Sequence, residues 1–155
     1  MNTSSLKHII FLVSNDLTFD QRMNRICSSL SSNNYNVTLC GREKSGSWKL
    51  IDKKYKQHRV NTFVESGPLF YLFLNLQFFL FLLFKKFDGV CAIDLDTAPA
   101  AWLISKIRQK VLIYDAHELY TEVPELLVHP RKKKIWERVA KMIIPASDLI
   151  KFSKA

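Results

Sequence analysis

Four short, β-branched, apolar runs punctuate the chain at intervals that leave room for a helix between them: "HIIFLVS" from residue 8, "NVTLCGR" from 36, "FDGVCAID" from 87 and "KVLIYD" from 110. Runs of this length with no polar alternation belong to strands buried on both faces. Such strands pair in parallel and need helices above and below them. Between the first two runs, Met23, Ile26, Cys27 and Leu30 recur at helical spacing, Thr18 and Gln21 stand at capping-box spacing, and "SSNN" stops the helix. Strand, helix, strand with short connections is a βαβ unit.

The same alternation continues downstream. Residues 43–57, "EKSGSWKLIDKKYKQ", read as loop, and "RVNTFV" reads as a short strand; Gly41 is expected to end the strand before it. A helix is expected from about Thr97 to Arg108, carrying Trp102, Leu103 and Ile107. Another is expected over "PRKKKIWERVAKMII", with Ile135, Val139, Met142 and Ile143 on one face, Pro130 in its first turn and Pro145 past its end. "DLIKFS" completes the set as a last strand. The expectation is a single α/β domain over residues 1–155: a doubly wound, mostly parallel, Rossmann-like sheet with helices on both faces and no internal repeat.

One segment invites another reading. "PLFYLFLNLQFFLFLLF", residues 68–84, has no charge and is followed by Lys85 and Lys86. Some 17 residues at ~1.5 Å each reach about 25 Å, short of a ~30 Å hydrocarbon core, and Asn75 and Gln77 interrupt the middle. A crossover helix, buried on one side and able to meet lipid with the other, fits better than a membrane span. The N-terminus lacks the apolar run and cleavage site of a secretory leader.

Charge narrows the partners. With 23 Lys and Arg against 14 Asp and Glu, the net charge is +9, which draws the chain to an anionic partner. Arg131, Lys132, Lys133 and Lys134 crowd the first turn of a helix, against its dipole, at a cost of a few tenths of a kcal/mol each. An anionic membrane surface, worth about 1 kcal/mol per nearby cation, would offset that cost. A solvated basic face is the plainer explanation. No nucleic-acid-binding signature accompanies the charge, so nucleic acid is not expected as a partner. Cys27, Cys40 and Cys91 are far apart and set among apolar residues, as reduced core thiols are.

In open parallel sheets ligands bind at the carboxyl ends of the strands, where the strand order reverses. The first strand delivers Asn15 and Asp16 there, with Asp20 and Arg22 at the following helix. The "VCAI" strand delivers Asp94, Asp96 and Thr97, and the "VLIY" strand delivers Asp115, His117 and Glu118. Taken singly each has a structural explanation: Asp16 and Thr97 as caps, Asp94 as a partner for backbone N–H groups, His117 as an ordinary strand-end histidine. Taken together they mark the rim of a binding crevice. His117 can donate and accept a proton near neutral pH, to a sugar hydroxyl or a phosphate. Four glycines leave no GxGxxG or P-loop, and neither a nucleophile elbow nor a metal-spaced Cys/His set is present, so no cofactor or metal is expected.

"GPLFY", "DLDT", "YDAHELYTEVPEL" and "KKKIWERVAKMIIPASD", in that order, resemble the N-terminal half of glycosyltransferase family 4 proteins, especially those of Bacteroidetes. The resemblance runs from about Asp20 to the end. It implies a GT-B architecture in which this domain holds the acceptor and a second Rossmann-like domain holds the nucleotide-sugar. It further implies a retaining transfer of a sugar to a lipid-linked or polysaccharide acceptor of the cell envelope, at the cytoplasmic face of the membrane. Under it, His117 would be the catalytic residue lying in the interdomain cleft near the donor sugar, and "SNDLTFDQR" would lie near the diphosphate or the acceptor. The glycine pair frequent after the first strand in that family is absent here, and "AIDLDT" stands where relatives often carry Asn before the first Asp. The donor domain is not in this sequence, so the chain alone is expected to be inactive, with a donor-domain chain as a possible partner. The other readings are a subunit of a split transferase, a non-catalytic Rossmann-like binding module, and a receiver domain with Asp16 as phospho-acceptor, for which the acidic pair is wanting.

Overall fold

The computed structural model describes residues 7–116 and 128–152. Six strands form one sheet in the order β3-β2-β1-β4-β5-β6: β1 (His8–Leu12), β2 (Asn36–Glu43), β3 (Lys56–Asn61), β4 (Gly89–Ile93), β5 (Val111–Ala116) and β6 (Leu149–Phe152). All five pairings are parallel. The chain leaves β1 toward β2 and later returns to its other side with β4, so the topological switch lies between β1 and β4.

The helices are α1 (Gln21–Ser32), α2 (Gly67–Leu83), α3 (Ala98–Arg108) and α4 (Pro130–Ile143), the last running into a 3-10 turn over Ile144–Ala146. They cover both faces. Met23 and Cys27 of α1 pack with Phe11, Val13, Leu39 and Cys91. On the other face α2, α3 and α4 share a core with Ile10, Leu12, Val90 and Leu112. As crossover helices between parallel strands, α2 to α4 start at the carboxyl edge of the sheet and end at its amino edge. The Tyr71 and Trp136 rings, near the start of α2 and at the middle of α4, meet at 5.2 Å. At the other end the Arg108 guanidinium donates to the carbonyls of Leu82 and Lys85, at 3.1 and 2.6 Å.

Several local expectations shift. Asp20, not Thr18, caps α1, its Oδ1 accepting the Met23 N–H at 2.8 Å. β2 runs on through Gly41, which lies where the β1 loop presses closest: a Cβ there would stand 2.5 Å from the Asn15 carbonyl oxygen and from Leu17. β3 begins at Lys56 and ends at Asn61, so "TFV" lies beyond it. Leu103 and Ile107 are exposed, and α3 packs instead through Ala98, Ala101 and Ile104. In α4, Ile135 and Met142 are exposed, and Trp136, Val139, Ala140 and Ile143 make the packing face.

α2 is apolar all round but buried along one stripe, Phe70, Leu74, Phe78 and Leu82, worth roughly 2–3 kcal/mol for each large side chain removed from water. Leu69, Leu72, Leu76, Leu80 and Leu83 face outward. Among the described residues no helix is long and apolar enough to cross a membrane. Cys27, Cys40 and Cys91 are buried and free, and burial pushes the Cys27 thiol up to about 12.

Candidate functional site

Among the described residues, Asn15, Asp16, Asp20, Arg22, Asp94, Asp96, Thr97 and Asp115 lie at or beside the carboxyl edge of β1, β4 and β5. After β1 the chain makes two successive Asx turns: the Asn15 side-chain oxygen accepts the Leu17 N–H at 2.9 Å and Asp16 Oδ1 accepts the Thr18 N–H at 3.1 Å. Leu17 is thereby held at a left-handed φ of 70° while its side chain is buried against Gly41. Asn15 then donates from its amide to Asp20 Oδ2 at 2.6 Å, which joins the loop to the start of α1.

From the first turn of α1, Arg22 reaches across to β5, where its Nη2 lies 2.7 Å from Asp115 Oδ1. The Asp115 side chain is almost wholly buried, and Lys151 of β6 stands 3.7 Å from its other oxygen. Asn15 and Asp20 in the loop between β1 and α1, and Arg22 of α1 with Asp115 of β5, thus make two polar pairs at this edge of the sheet.

Asp16 turns the other way. Its Oδ2 accepts from the Ser47 hydroxyl at 3.2 Å, and the backbone around it is gripped by Arg59 of β3. That guanidinium donates to the Asp16 carbonyl (2.6 Å), the Trp48 carbonyl (2.6 Å) and the Thr18 hydroxyl (2.9 Å). Slight burial raises the Asp16 pKa, but the Thr18 N–H, the Ser47 hydroxyl and Arg59 outweigh it and hold the carboxyl below its ordinary range.

The turn after β4 is the most tightly determined part of the edge. Asp94 has a left-handed φ of 62°, a conformation costing of order 1 kcal/mol for a residue with a Cβ. Its N–H donates to the Asp115 carbonyl at 3.0 Å. Thr97 lies fully buried beneath the crevice, its hydroxyl 3.0 Å from the Ile93 carbonyl and 3.4 Å from that of Leu12, so it ties β4 to β1. Asn75 was not singled out as a site residue, yet it clamps this turn from α2. Its amide donates to the Asp96 carbonyl at 2.8 Å, and its oxygen accepts the Ala100 N–H at 3.0 Å. The available signal was an amide in an otherwise apolar helix.

Asp96 is buried beside Ser14, and among the described residues its Oδ1 has no hydrogen-bond partner. Burial, aided by the Asp94 carboxylate and opposed by the Ser14 hydroxyl, pushes its carboxyl from an ordinary 3.8 to about 6. A carboxyl so placed changes protonation near neutrality, as groups at functional sites often do. His117 and Glu118 lie outside the described residues.

The basic residues do not form one patch. Lys85 and Lys86 follow the C-terminus of α2 at the amino edge of the sheet, whereas Arg131, Lys132, Lys133 and Lys134 open α4 at the carboxyl edge. A helix of 17 residues, about 25 Å, separates the two levels. A groove of about 530 Å³, lined by Tyr35, Lys54 and Lys56 among others, also lies at the amino edge, away from the Asp115 cluster. Among the described residues no group of His, Cys, Asp and Glu is arranged to hold a metal ion.

Comparison with known proteins places this geometry. No family model matches the sequence, and no curated protein matches it. Among solved structures, sucrose-phosphate synthase from Thermosynechococcus elongatus superimposes with a TM-score of 0.66 at 13% identity, over 93% of this chain and 41% of that one. The glycotransferase of kitacinnamycin overlaps 94% of this chain and 41% of its own, at 12% identity and a TM-score of 0.49. The chain therefore spans about two fifths of the solved proteins it resembles. Its six-stranded parallel sheet with helices on both faces is a Rossmann-like α/β fold, shared with sucrose-phosphate synthase over 93% of this chain.

Proposed function

We propose that this chain is the acceptor-side half of a retaining GT-B glycosyltransferase, akin to family 4. In this reading it moves a sugar from a nucleotide-sugar to a glycan or lipid-linked acceptor of the cell envelope. The observation that supports this reading most is the shared fold with sucrose-phosphate synthase over 93% of the chain. Beside it stands the clustering of Asn15, Asp20, Arg22, Asp96 and Asp115 at the switch point, where such sheets bind ligands.

In the proposed reaction the bond from the sugar's anomeric carbon to the diphosphate oxygen breaks and an acceptor hydroxyl oxygen takes its place on that carbon. The hydroxyl proton passes to the departing diphosphate. Asp96 orients that hydroxyl, and Arg22 and Asp115 keep the α1 and β5 ends of the crevice in register. His117 serves in the cleft near the donor sugar. A donor-binding domain, in cis or in trans, supplies most of the nucleotide-sugar contacts, and no further cofactor takes part.

The exposed leucines of α2, ending in Phe84, Lys85 and Lys86, support peripheral attachment to the cytoplasmic face of the membrane. The test is sugar transfer from UDP- and GDP-sugars by the chain together with its donor-binding domain. Asp96→Asn and His117→Ala are each expected to lower turnover at least tenfold, and unchanged turnover in both would overturn the reading. Vesicle binding with no transfer from any donor would favour a non-catalytic module instead.

A further inference from the structure

Two large aromatic side chains stand in the open beside the crevice. Phe19 is 76% exposed and Trp48 is 70% exposed, and their rings meet edge to face with centroids 6.0 Å apart. Phe19 belongs to the loop after β1 and Trp48 to the loop after β2, so both lie at the carboxyl edge of the sheet, on the α1 side of the switch point.

Exposed aromatics on unrestrained loops would mean little, but these loops are stitched together. Arg59 donates at once to the Trp48 carbonyl, the Asp16 carbonyl and the Thr18 hydroxyl, so a single guanidinium joins both loops to β3. Ser47 adds a bond from its hydroxyl to Asp16, and accepts the Lys44 N–H at 2.9 Å. The backbone carrying the aromatic pair is thus fixed before any ligand arrives, which lowers the ordering cost of binding. Each ring also brings a rigid contact area with only two side-chain torsions to restrain.

The surroundings select the occupant. Lys44, Ser45 and Lys49 are exposed beside Trp48 in sequence, and Asn15 is exposed in the loop that carries Phe19, so polar residues flank each ring along the chain. A bilayer needs a continuous apolar face. A pyranose offers one face of C–H groups the size of an aromatic ring, with hydroxyls around its rim, and matches an aromatic patch set in a polar border.

We infer that Phe19 and Trp48 form a sugar-stacking platform that holds a ring of a glycan acceptor at the lip of the crevice. The inference rests on the acceptor-side reading and deepens it by naming the residues that would grip the glycan part of the acceptor.

The test measures binding without donor or turnover, so its outcome is separable from that of the transfer reaction. The full chain is applied to an array of neutral and uronic-acid oligosaccharides. The expected result is retention by at least one oligosaccharide class, about tenfold or more weaker in Trp48→Ala and Phe19→Ala, and largely preserved in Trp48→Phe. Both side chains are mostly exposed, so these substitutions leave the core intact. Arg59→Met keeps the aromatics but releases the loops, and is expected to weaken the same binding. The platform is overturned if no oligosaccharide is retained or if the alanine variants bind equally well. It is equally overturned if they bind sugars normally but lose association with the donor-binding domain.

Discussion

Arg22 and Asp115, 93 residues apart in the chain, meet at 2.7 Å, and through that contact the first helix is fastened to the fifth strand across the end of β4. The Asp115 side chain is almost wholly buried, and among the described residues the cations beside it are Arg22 and the more distant Lys151. Removing one member of a buried pair leaves the other charged and unpaired, which costs far more than the pair contributes to stability. Arg22→Met is therefore expected to destabilise the fold by about 3 kcal/mol. Arg22→Met combined with Asp115→Asn should recover part of that loss. Urea denaturation of the three variants measures it, and a strictly additive double variant would contradict the coupling.

Asp96 gives a pH dependence of definite sign. Its carboxyl is held at about 6 in the fold against an ordinary 3.8, so the folded state keeps the proton over the interval in which the unfolded chain has lost it. Its contribution to stability is greatest below about pH 4, falls as the pH rises to about 6, and is level beyond. Asp96→Asn removes the cost of the buried charge, and at pH 7.5 should be more stable than the parent by up to about 3 kcal/mol. At pH 3.5 the two should nearly coincide. Denaturation at both pH values decides this, and a variant less stable at pH 7.5 would show that the charged form is better solvated than its burial indicates.

Gly41 is required by a close approach. A Cβ at this position would meet the Asn15 carbonyl oxygen at 2.5 Å, and that backbone is itself held by the Arg42 N–H at 2.8 Å. Gly41→Ala should cost about 2 kcal/mol and lower the melting temperature by roughly 5 °C. Because the strain falls on the loop bearing Asn15 and Asp16, glycan or donor binding should weaken as well. A melting curve indistinguishable from the parent would show that the loop yields freely.

The outward leucines of α2 are the attachment surface in the proposed function. Leu72→Gln with Leu76→Gln and Leu80→Gln is expected to abolish co-sedimentation with vesicles containing phosphatidylglycerol while leaving the melting temperature within a few degrees, since these side chains are only partly buried, at 41% to 63% exposure. Lys85→Gln with Lys86→Gln should reduce binding chiefly at low salt. The Arg131–Lys134 group, at the other edge of the sheet, gives an internal comparison. If its neutralisation alone removes binding, α2 is not the attachment surface.

Much of this architecture was legible from the chain. Short apolar runs bounded by helical periodicity lead directly to parallel strands, and the carboxyl ends of those strands identify Asn15, Asp16, Asp94, Asp96 and Asp115 before any contact is known. The same local signals could not divide those residues among roles. Asp16 and Asp115 read alike in sequence, yet one braces the Trp48 loop and the other carries the Arg22 ion pair. Thr97 read as a crevice residue and lies buried beneath it, while Asn75, an interruption in an apolar helix, clamps the Asp94–Thr97 turn.

The division has a physical cause. Strand and helix formation, the order of elements and the edge at which polar residues emerge depend on neighbours a few positions away, and the sequence alone determined them. Which stripe of α2 is buried, which carboxylate finds a guanidinium, and that Phe19 and Trp48 stand together depend on the tilt and twist with which distant segments pack. Those outcomes turn on ångström distances between residues tens of positions apart, and only the tertiary structure decided them.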